Sequence, residues 1–310
     1  MALSTVSARQ FEIFLTMALS RNMAEAADKL GISQAAVSKS LKILEQETGL
    51  TLFRLVNGRL ALTVDGDRLL PFAQRAADHL ERARHAAAEL RGGDTGQLVI
   101  GTAGPALVSI LPVAVERYRS ERPDVRIEIR ILNTYDLING AAGNEIDLGV
   151  GTPPVRDIDA RVVQLCTVSD ICETTMVAAL PPGHRLAGRP FVRPADLVNE
   201  TMIGLPDDST TTHLVMAMCQ QAGVTLSVPI MAANAVGVLS LVQRGIGLGL
   251  VNPLMLAGGL FPDIVTRPFR PRTVLRTCLY YSKLHEPLPL VADFIGCLTR
   301  AAKTVAARVR

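Results

Sequence analysis

The stretch that decides the fold runs from Ser33 to Leu44 and reads Ser-Gln-Ala-Ala-Val-Ser-Lys-Ser-Leu-Lys-Ile-Leu. Val37, Leu41 and Leu44 recur at the i, i+4, i+7 spacing that places side chains on one face of an α-helix. The opposite face carries small residues, amide and hydroxyl groups and two cations, at Gln34, Ala35, Ser38, Lys39 and Lys42. Such a face can enter the major groove of DNA, read base edges and meet phosphates. The alternative, for this stretch taken alone, is an ordinary solvated helix surface.

The residues before this stretch predict two further helices. A capping-box pattern at Ser7 begins a helix that runs to Leu19. Asn22 caps a second helix, and Gly31 ends it two residues before the next cap at Ser33. Two helices joined by a tight turn that contains glycine are typical of the helix-turn-helix motif. The neighbouring sequence therefore favours a DNA-reading helix over a solvated surface.

The residues after this helix predict a β-hairpin over 51–63. Asn57-Gly58 is the strongest short-range hairpin signal, and strand-compatible residues flank it. A hairpin directly after a helix-turn-helix indicates a wing. Its position would place Arg54 and Arg59 beside the groove, where they can contact phosphates. Solvated surface charge is the alternative for each arginine.

A long helix is predicted from Thr63, its cap, to Leu90. Pro71 is expected to bend or restart it within its first turns. The Ala/Leu stripe of this helix has no obvious partner within so small an N-terminal domain, which favours a dimerisation helix. Packing on its own domain is the alternative. Residues 91–96, Arg-Gly-Gly-Asp-Thr-Gly, then form a flexible linker.

From Gln97 the pattern changes to alternating strands and helices, which predicts α/β structure with parallel sheets. The predicted strands cover 97–102, 125–132, 147–151, 161–169, 173–180, 201–205, 226–232, 247–251, 264–267 and 274–281. The predicted helices cover 104–120, 135–142, 194–199, 210–222, 235–244 and 287–309. An alternation of this length indicates two lobes, with the chain crossing between them near 165–170 and 264–268. A cleft between two such lobes is a typical small-molecule site.

The expected fold is therefore an all-α winged helix-turn-helix domain with a long linker helix, followed by an α/β two-lobed domain. The winged domain covers 1–63, the linker helix 64–91 and the two-lobed domain 92–310. Within the two-lobed domain, lobe I is expected at about 97–165 and 269–310, and lobe II at about 170–264.

Composition bounds the class of protein. The 310 residues carry a net charge of +3, are 48% hydrophobic and 4% aromatic, and include no Trp, so aliphatic side chains must form the core. The sequence shows no secretory signal pattern and no run of about 18 apolar residues, which predicts a cytoplasmic protein without a membrane partner. The five cysteines form no C-x-x-C pair, and free thiols are expected.

The chain carries no recognised catalytic or cofactor motif. It contains no G-x-S-x-G, no P-loop and no H-E-x-x-H. Gly245-x-Gly247-x-Gly249 departs from the dinucleotide loop in spacing and lies in a predicted helix-to-strand turn. His213 lies near Cys219 but has no third ligand. The sequence therefore predicts no enzyme, no catalytic residue, no metal and no cofactor.

A set of positions across most of residues 6–66 has the spacing of a known family. These positions are Phe11, Phe14, Ala26-Ala27-x-x-Leu30, Ser33-Gln34-x-Ala36-Val37-Ser38, Leu44-Glu45, Gly49-Leu50, Leu52-Phe53 and Leu62-Thr63-x-x-Gly66. In this run the chain resembles the LysR-type transcriptional regulators. Looser matches, such as Leu111-Pro112 and Val242-x-x-Gly245-Ile-Gly-Leu, extend the resemblance over the whole chain.

The resemblance implies a sequence-specific DNA-binding transcriptional regulator. It implies a homodimer or homotetramer on double-stranded DNA with an inverted-repeat operator, in which recognition helices enter successive major grooves. It also implies a two-lobed effector domain of the periplasmic-binding-protein type. A small metabolite in its cleft would change DNA bending and contact with RNA polymerase, and so activate or repress nearby genes.

Carried onto matching positions, the resemblance implies an effector site made by turns of both lobes. Its residues would be Thr102, Ala103, Asn133, Thr134, Thr152, Ile203, Gly204, Leu205 and Asn234. Independently, Thr102, Thr134 and Asn234 precede predicted helices, where free backbone N–H groups favour an anion such as a carboxylate. Plain N-capping is the alternative for these three.

Two departures from the family bear on function. Ala35 stands where the family often has Pro, a change that the N-terminus of a helix tolerates. Leu55 stands where the family's wing commonly has Arg, which favours phosphate contact through the helix over contact through the wing. The segment Asn57-Gly58-Arg59-Leu60 resembles the wing of members that respond to amino acids and opines. This hint favours an effector that is amino-acid-like or an organic acid.

Two alternative functions remain open at this point. One is a redox-sensing regulator that uses Cys166 and Cys172, although the nearby charges, Asp170 and Glu173, do not favour a lowered thiol pKa. The other is a solute-binding α/β protein without a DNA function.

Overall fold

A computed structural model describes residues 6–56, 59–91, 96–155, 159–207, 209–284 and 286–309. Contacts between α-carbons divide the chain into two compact units, Met1–Ala88 and Glu89–Arg310.

Helices and one hairpin make up the described part of the first unit. They are α1 (Ala8–Ala18), α2 (Met23–Leu30), α3 (Gln34–Thr48), β1 (Phe53–Val56), β2 (Arg59–Leu62) and α4 (Val64–Leu90). The predicted caps are confirmed, because the side chains of Ser7, Asn22, Ser33 and Thr63 each accept a backbone N–H three residues on. The winged helix-turn-helix arrangement predicted for this part is therefore present.

One apolar cluster joins the helices of this unit. Phe14, Val37 and Leu44 are fully buried in it, and the Phe14 ring meets the Phe53 ring edge-on with centroids 5.7 Å apart. The buried Ala26-Ala27 pair on α2 belongs to the same cluster. Because Val37 and Leu44 lie on one face of α3, their burial leaves the opposite face free of the core.

Glu45 connects the end of α3 to the start of the hairpin. Its Oε1 atom accepts the backbone N–H of Leu52 at 2.7 Å and that of Phe53 at 3.3 Å. Leu52 is fully buried, so its N–H has no access to water as an alternative partner. The carboxylate thereby sets where β1 begins relative to α3.

We expect Glu45→Ala to destabilise the first unit by about 1–3 kcal/mol, because it leaves a buried N–H group without an acceptor. The measurement is thermal or urea unfolding of the full chain. Gln46→Ala is the matched control, since Gln46 is exposed at the next position of the same helix. Equal stability of the two variants would contradict this role of Glu45.

The hairpin pairs Val56 with Arg59 and Phe53 with Leu62 in an antiparallel register. The Asn57-Gly58 turn that was predicted between the strands lies outside the described residues. At the base of the hairpin, a Cβ atom added to Gly66 would overlap the carbonyl oxygen of Leu52. Glycine is therefore needed where the first turn of α4 meets the hairpin.

α4 continues through Pro71, so the restart predicted there is wrong. Proline removes one hydrogen bond of the helix, and burial of the neighbouring turns offsets that loss. Leu69, Leu70 and Ala73 pack into the apolar cluster of the first unit. Packing on its own domain, the alternative for the stripe, thus holds for the first turns of α4.

The described part of the second unit alternates strands with helices. The strands are β3 (Gln97–Thr102), β4 (Arg126–Ile131), β5 (Leu148–Gly151), β6 (Cys166–Thr175), β7 (Val177–Leu180), β8 (Ile203–Gly204), β9 (Ile230–Met231), β10 (Gly249–Val251), β11 (Val265–Pro268) and β12 (Val274–Ser282). The helices are α5 (Gly104–Val108), α6 (Ile110–Glu121), α7 (Thr134–Ala142), α8 (Ala160–Leu165), α9 (Thr210–Gln221), α10 (Ala235–Gln243) and α11 (Pro289–Arg308), with 3-10 turns at Arg185–Gly188, Pro194–Leu197 and Pro253–Leu256.

A five-stranded sheet of order β4-β3-β5-β12-β6 forms the centre of lobe I. β3 is parallel to β4 and β5, whereas β12 is antiparallel to β5 and β6. The prediction of parallel sheets is therefore only partly right here. The βαβ crossovers make the first three strands parallel, but β12 returns from the other lobe and enters from the opposite end.

Lobe II is built on a three-stranded antiparallel sheet, β10-β7-β11, and a short parallel pair, β8 and β9. The strand predicted over 226–232 is paired only at Ile230–Met231. The larger sheet of this lobe is antiparallel, so the parallel pairing predicted for it was wrong.

The chain crosses between the lobes later than predicted at both places. β6 pairs with β12 from Cys166 to Thr175, which places this whole strand in lobe I rather than at a crossing near 165–170. Phe269 is buried in the core of lobe II, so the return crossing lies after it and not at 264–268.

Two predicted elements of lobe I differ from the structure. The helix predicted over 104–120 breaks after Val108, because Pro112 has no N–H to bond the Val108 carbonyl four residues before it. The strand predicted over 161–169 begins with α8 instead and becomes a strand only at Cys166. β-Branched Val162 favours a strand locally, but it packs against the cluster that contains Ile138 of α7.

Candidate DNA interface and effector-binding region

α3 presents a polar face that the core does not use. Gln34, Ala35, Lys39 and Lys42 are exposed and Ser38 is half-buried, whereas Val37 and Leu41 on the other face are buried. Gln34 is the first residue of the helix, just after the Ser33 cap. In helix-turn-helix proteins, the N-terminal residues of the motif's second helix, which is α3 here, contact base edges. The structure thus brings the five predicted residues of α3 together on one accessible face.

The two arginines predicted to contact phosphates lie on different strands of the hairpin. Arg54 is exposed on β1, and Arg59 pairs through its backbone with Val56. Leu55, at the position where the family commonly has Arg, is 74% exposed. Because side chains alternate along a strand, Arg54 projects from the face of the hairpin opposite to Leu55. The Arg54 side chain therefore lies on the face of the wing opposite to the one on which an arginine at position 55 would lie.

In the second unit, three threonine hydroxyls form a chain that links the lobes. Thr134 Oγ1 lies 3.3 Å from Thr152 Oγ1, which lies 3.0 Å from Thr210 Oγ1. Thr210 donates to the carbonyl oxygen of Pro153 at 3.0 Å. Because each hydroxyl has one hydrogen, that bond requires Thr152 to donate to Thr210 and Thr134 to donate to Thr152. Thr134 and Thr152 belong to lobe I, and Thr210 begins α9 in lobe II.

A tyrosine of lobe I holds the middle of this chain. Tyr280 donates its hydroxyl to the carbonyl oxygen of Thr152 at 2.6 Å. Burial raises the pKa of Tyr280, so it stays protonated and remains a donor. Thr210 and Tyr280 were both missed by the sequence analysis. The run of three threonines at 210–212 was the available signal for the first, whereas Tyr280 carries no local signal because β12 is far away in sequence.

We expect Thr152→Val to loosen the connection between the lobes, because it keeps the side-chain shape and removes the central hydroxyl. Amide hydrogen exchange in the first turns of α7 and α9 should become faster. Thr304→Val is the control, since the Thr304 hydroxyl donates to the carbonyl of Arg300 within α11. Unchanged exchange in both turns would show that the hydroxyl chain does not hold the lobes together.

Other predicted effector residues use their polar groups locally. Asn133 Oδ1 accepts the N–H of Asp136 and Asn234 Oδ1 accepts the N–H of Gly237, each at 3.0 Å, so both cap helices. The Thr102 hydroxyl is buried and donates to the carbonyl oxygen of Ala103. A contact between these residues and an effector stays a prediction.

Ile203, Gly204 and Leu205 line a separate cavity of about 200 Å³ within lobe II. It lies between the β8 segment and α9, with Val215, Val228 and Leu250 among its other walls. Thr211 and Thr212, which follow the bridging Thr210, also face it. Of the predicted effector residues, Thr134 and Thr152 thus belong to the hydroxyl chain at the lobe junction and Ile203, Gly204 and Leu205 to this cavity. The others belong to neither group.

Comparison with protein families assigns both parts of the chain. The model described as bacterial regulatory helix-turn-helix protein, lysR family, matches residues 8–67. The model described as LysR substrate binding domain matches residues 91–303. The chain belongs to the LysR family. It is a DNA-binding transcriptional regulator with an effector-binding domain, and the resemblance inferred from the sequence is confirmed.

Named relatives of this LysR-family chain align over nearly its whole length. The transcriptional activator protein LysR of Escherichia coli (strain K12) is 30% identical over 96% of this chain and 93% of its own. The regulatory protein NocR of Agrobacterium fabrum is 26% identical over 97% of this chain and 98% of its own.

Solved structures share the fold of this LysR-family regulator. The crystal structure of CbnR, a LysR family transcriptional regulator, has a TM-score of 0.70 at 21% identity, covering 96% of this chain and 99% of that one. Full-length CbnR complexed with its target DNA has a TM-score of 0.74 at 21% identity, covering 96% and 100%. The two-part fold class expected from the sequence is thereby confirmed.

The two cysteines of the redox alternative are far apart in this regulator. Cys166 and Cys172 lie six positions apart on β6, about 20 Å at the rise of a strand. A bulge between them turns Cys172 toward the apolar cluster on the other side of the sheet from that of Cys166. A disulfide requires α-carbons within about 7 Å. Burial also raises the pKa of the Cys166 thiol to about 11, away from the reactive thiolate.

Among the residues that the structure describes, no group of three His, Cys, Asp or Glu side chains could hold a metal ion. No helix in the described ranges is both long and apolar enough to cross a bilayer.

Proposed function

We propose that this LysR-family regulator recognises an inverted-repeat operator through α3, as a homo-oligomer in the cytoplasm, and does not act as an enzyme. The observation that carries the proposal is the exposed face of α3. It combines an amide at Gln34, two cations at Lys39 and Lys42, and small side chains at Ala35 and Ser38. No carboxylate lies between positions 34 and 43, so the face repels no phosphate.

The chemistry of each side chain suggests its role on DNA. Gln34 can bond an adenine base edge with its amide, and Ser38 can bond either base of a pair. Lys39 and Lys42 supply phosphate contacts, as do Arg54 and Arg59 on the wing. Ala35 lets the helix approach the groove closely.

The exposed part of α4 supports a homodimer. Leu69, Ala73, Ala76, Leu80 and Ala83 follow one another at alternating spacings of four and three residues, the pattern of a two-stranded coiled coil. Leu69 and Ala73 pack on the first unit, but Ala76, Leu80 and Ala83 are exposed. A second copy of the chain would cover them, and two such dimers would make a tetramer.

The second unit would supply the response to a metabolite. We place the effector near the first turn of α9, which bonds Thr152 at the lobe junction and also lines the cavity of the segment Ile203–Leu205. Because the hydroxyl chain joins the lobes there, a bound molecule would change their relative position. That change would alter bending of the operator and contact with RNA polymerase.

Footprinting tests the proposal. The full chain should protect two half-sites whose centres are about one helical turn of DNA apart, or a multiple of that distance, upstream of a neighbouring gene. Protection of a single half-site would contradict the homo-oligomer. Failure to bind any upstream fragment at moderate salt would contradict the DNA function of α3.

A further inference from the structure

The cavity in lobe II differs in chemistry from the junction of the lobes. Its walls include Met202, Ile203, Val215 and Leu250, which are buried, together with Leu226 and Val228. Its volume is about 200 Å³. An apolar cavity of about 150 Å³ stays dry and accepts benzene, so this one has room for a slightly larger ring or branched alkyl group.

The described lining of the cavity carries negative charge but no positive charge. Asp207 is the one charged side chain among its described lining residues, and no Arg, Lys or His lines it. A carboxylate that entered would lose its hydration without gaining a cation and would lie near the carboxylate of Asp207. The charged side chain at the cavity therefore favours uncharged or cationic molecules over anions.

The mouth of the cavity can adapt to its contents. Met216 and Met231 line it and are about half exposed. Methionine side chains are flexible and polarizable, so they can close over ligands of different shape.

We infer that lobe II binds the apolar body of a small, uncharged or cationic organic molecule in this cavity, and that the ligand acts through α9. Thr211, Thr212 and Val215 of α9 line the cavity, and Thr210 in the same first turn bonds Thr152 of lobe I. A ligand that fixes this turn also fixes the lobe junction. The inference deepens the proposed function by naming the class of effector, and only its consequence for DNA rests on that function.

Three probes with one ring and different charge test this inference: cyclohexanol, cyclohexylamine and cyclohexanecarboxylate. Binding to the full chain is followed by ligand-observed NMR and by the shift in melting temperature. We expect the affinities for cyclohexanol and cyclohexylamine to exceed that for cyclohexanecarboxylate by a factor of about ten or more. Binding of the carboxylate with equal affinity, or binding of none of the three, would overturn the inference.

Variants locate the binding. Val215→Phe fills the cavity and should lower the affinity for cyclohexylamine about tenfold or more, and Val228→Phe replaces it if that protein does not fold. Ala217→Phe is the matched control, because Ala217 is exposed on α9 and does not line the cavity. Asp207→Asn should reduce the advantage of the amine over the carboxylate. Undiminished binding by both cavity-filling variants would show that the probes bind elsewhere.

A separate measurement distinguishes this inference from the proposed function. Operator binding is measured with the unmodified chain in the absence of probe. Failure there would contradict DNA recognition by α3 and leave the result for the cavity unaffected. Normal operator binding without any probe binding would contradict the cavity inference alone.

Discussion

Replacing Gln34 by alanine is expected to lower affinity for the operator about 5- to 150-fold, the equivalent of about 1–3 kcal/mol. Gln34 is exposed at the first position of α3, the part of a recognition helix that reaches base edges. Its amide can donate and accept, so alanine removes both bonds to a base at once. Affinity for random DNA should change little, because phosphate contacts supply most of non-specific binding. Competition binding against operator and random duplexes at one fixed salt concentration gives both values.

Comparison with two other positions makes this prediction specific. Gln46→Ala removes the same side chain from an exposed position near the other end of α3 and should leave both affinities unchanged. Ser38→Ala should also reduce specific binding within the same range, although Ser38 is half-buried and offers a shorter reach. Equal losses on operator and random DNA for Gln34→Ala would show that Gln34 contacts the backbone instead of a base.

Much of the first unit could be predicted because its signals are local. Each helix begins at a capping residue, and the apolar residues of α3 recur at helical spacing, so one short stretch contains the information for each element. The limits of that prediction are also local in origin. The Asn57-Gly58 signal and its strand-compatible flanks predicted a hairpin, but only the structure shows that the apolar Leu55 is exposed as well as Arg54.

The second unit was harder to predict because its errors come from distant partners. The direction of β12 depends on where the chain returns from lobe II, about 100 residues after β6. Val162 favours a strand by propensity, but packing against α7 makes it helical. The break after Val108 is the exception, since Pro112 was a readable signal for it.

The candidate effector site shows the same contrast between residues in local turns, which could be predicted, and residues that depend on distant contacts, which could not. Thr134, Thr152 and the segment Ile203–Leu205 were selected by resemblance, and the structure divides them between the lobe junction and the lobe II cavity. Thr210 and Tyr280 were missed because their roles depend on contacts across 58 and 128 positions of sequence. A resemblance identifies equivalent positions in turns, but it does not show which hydroxyl donates to which acceptor.

The other large effect is expected from the exposed half of α4. Leu80→Glu should convert the proposed homodimer to a monomer, because it places a charge in the centre of the apolar stripe that a second copy would cover. Leu80 is 37% exposed in the single chain, so the new carboxylate remains hydrated in the monomer and loses water only on association. Gln74→Glu adds the same residue to an exposed position of α4 outside the stripe and should leave the dimer intact. Analytical ultracentrifugation gives the mass of each variant.

Loss of the dimer would also appear in operator binding. Two linked recognition helices bind two half-sites at a high effective concentration, which adds about 10²- to 10⁴-fold to the affinity of one. Leu80→Glu should therefore lose about that factor on a two-half-site operator and much less on a single half-site. If Leu80→Glu remained dimeric, the exposed half of α4 would not be the dimer contact. If it became monomeric and kept full operator affinity, each chain would bind its half-site independently. The ratio of the two affinities thus separates the contribution of α4 from that of α3, which no single binding constant can do.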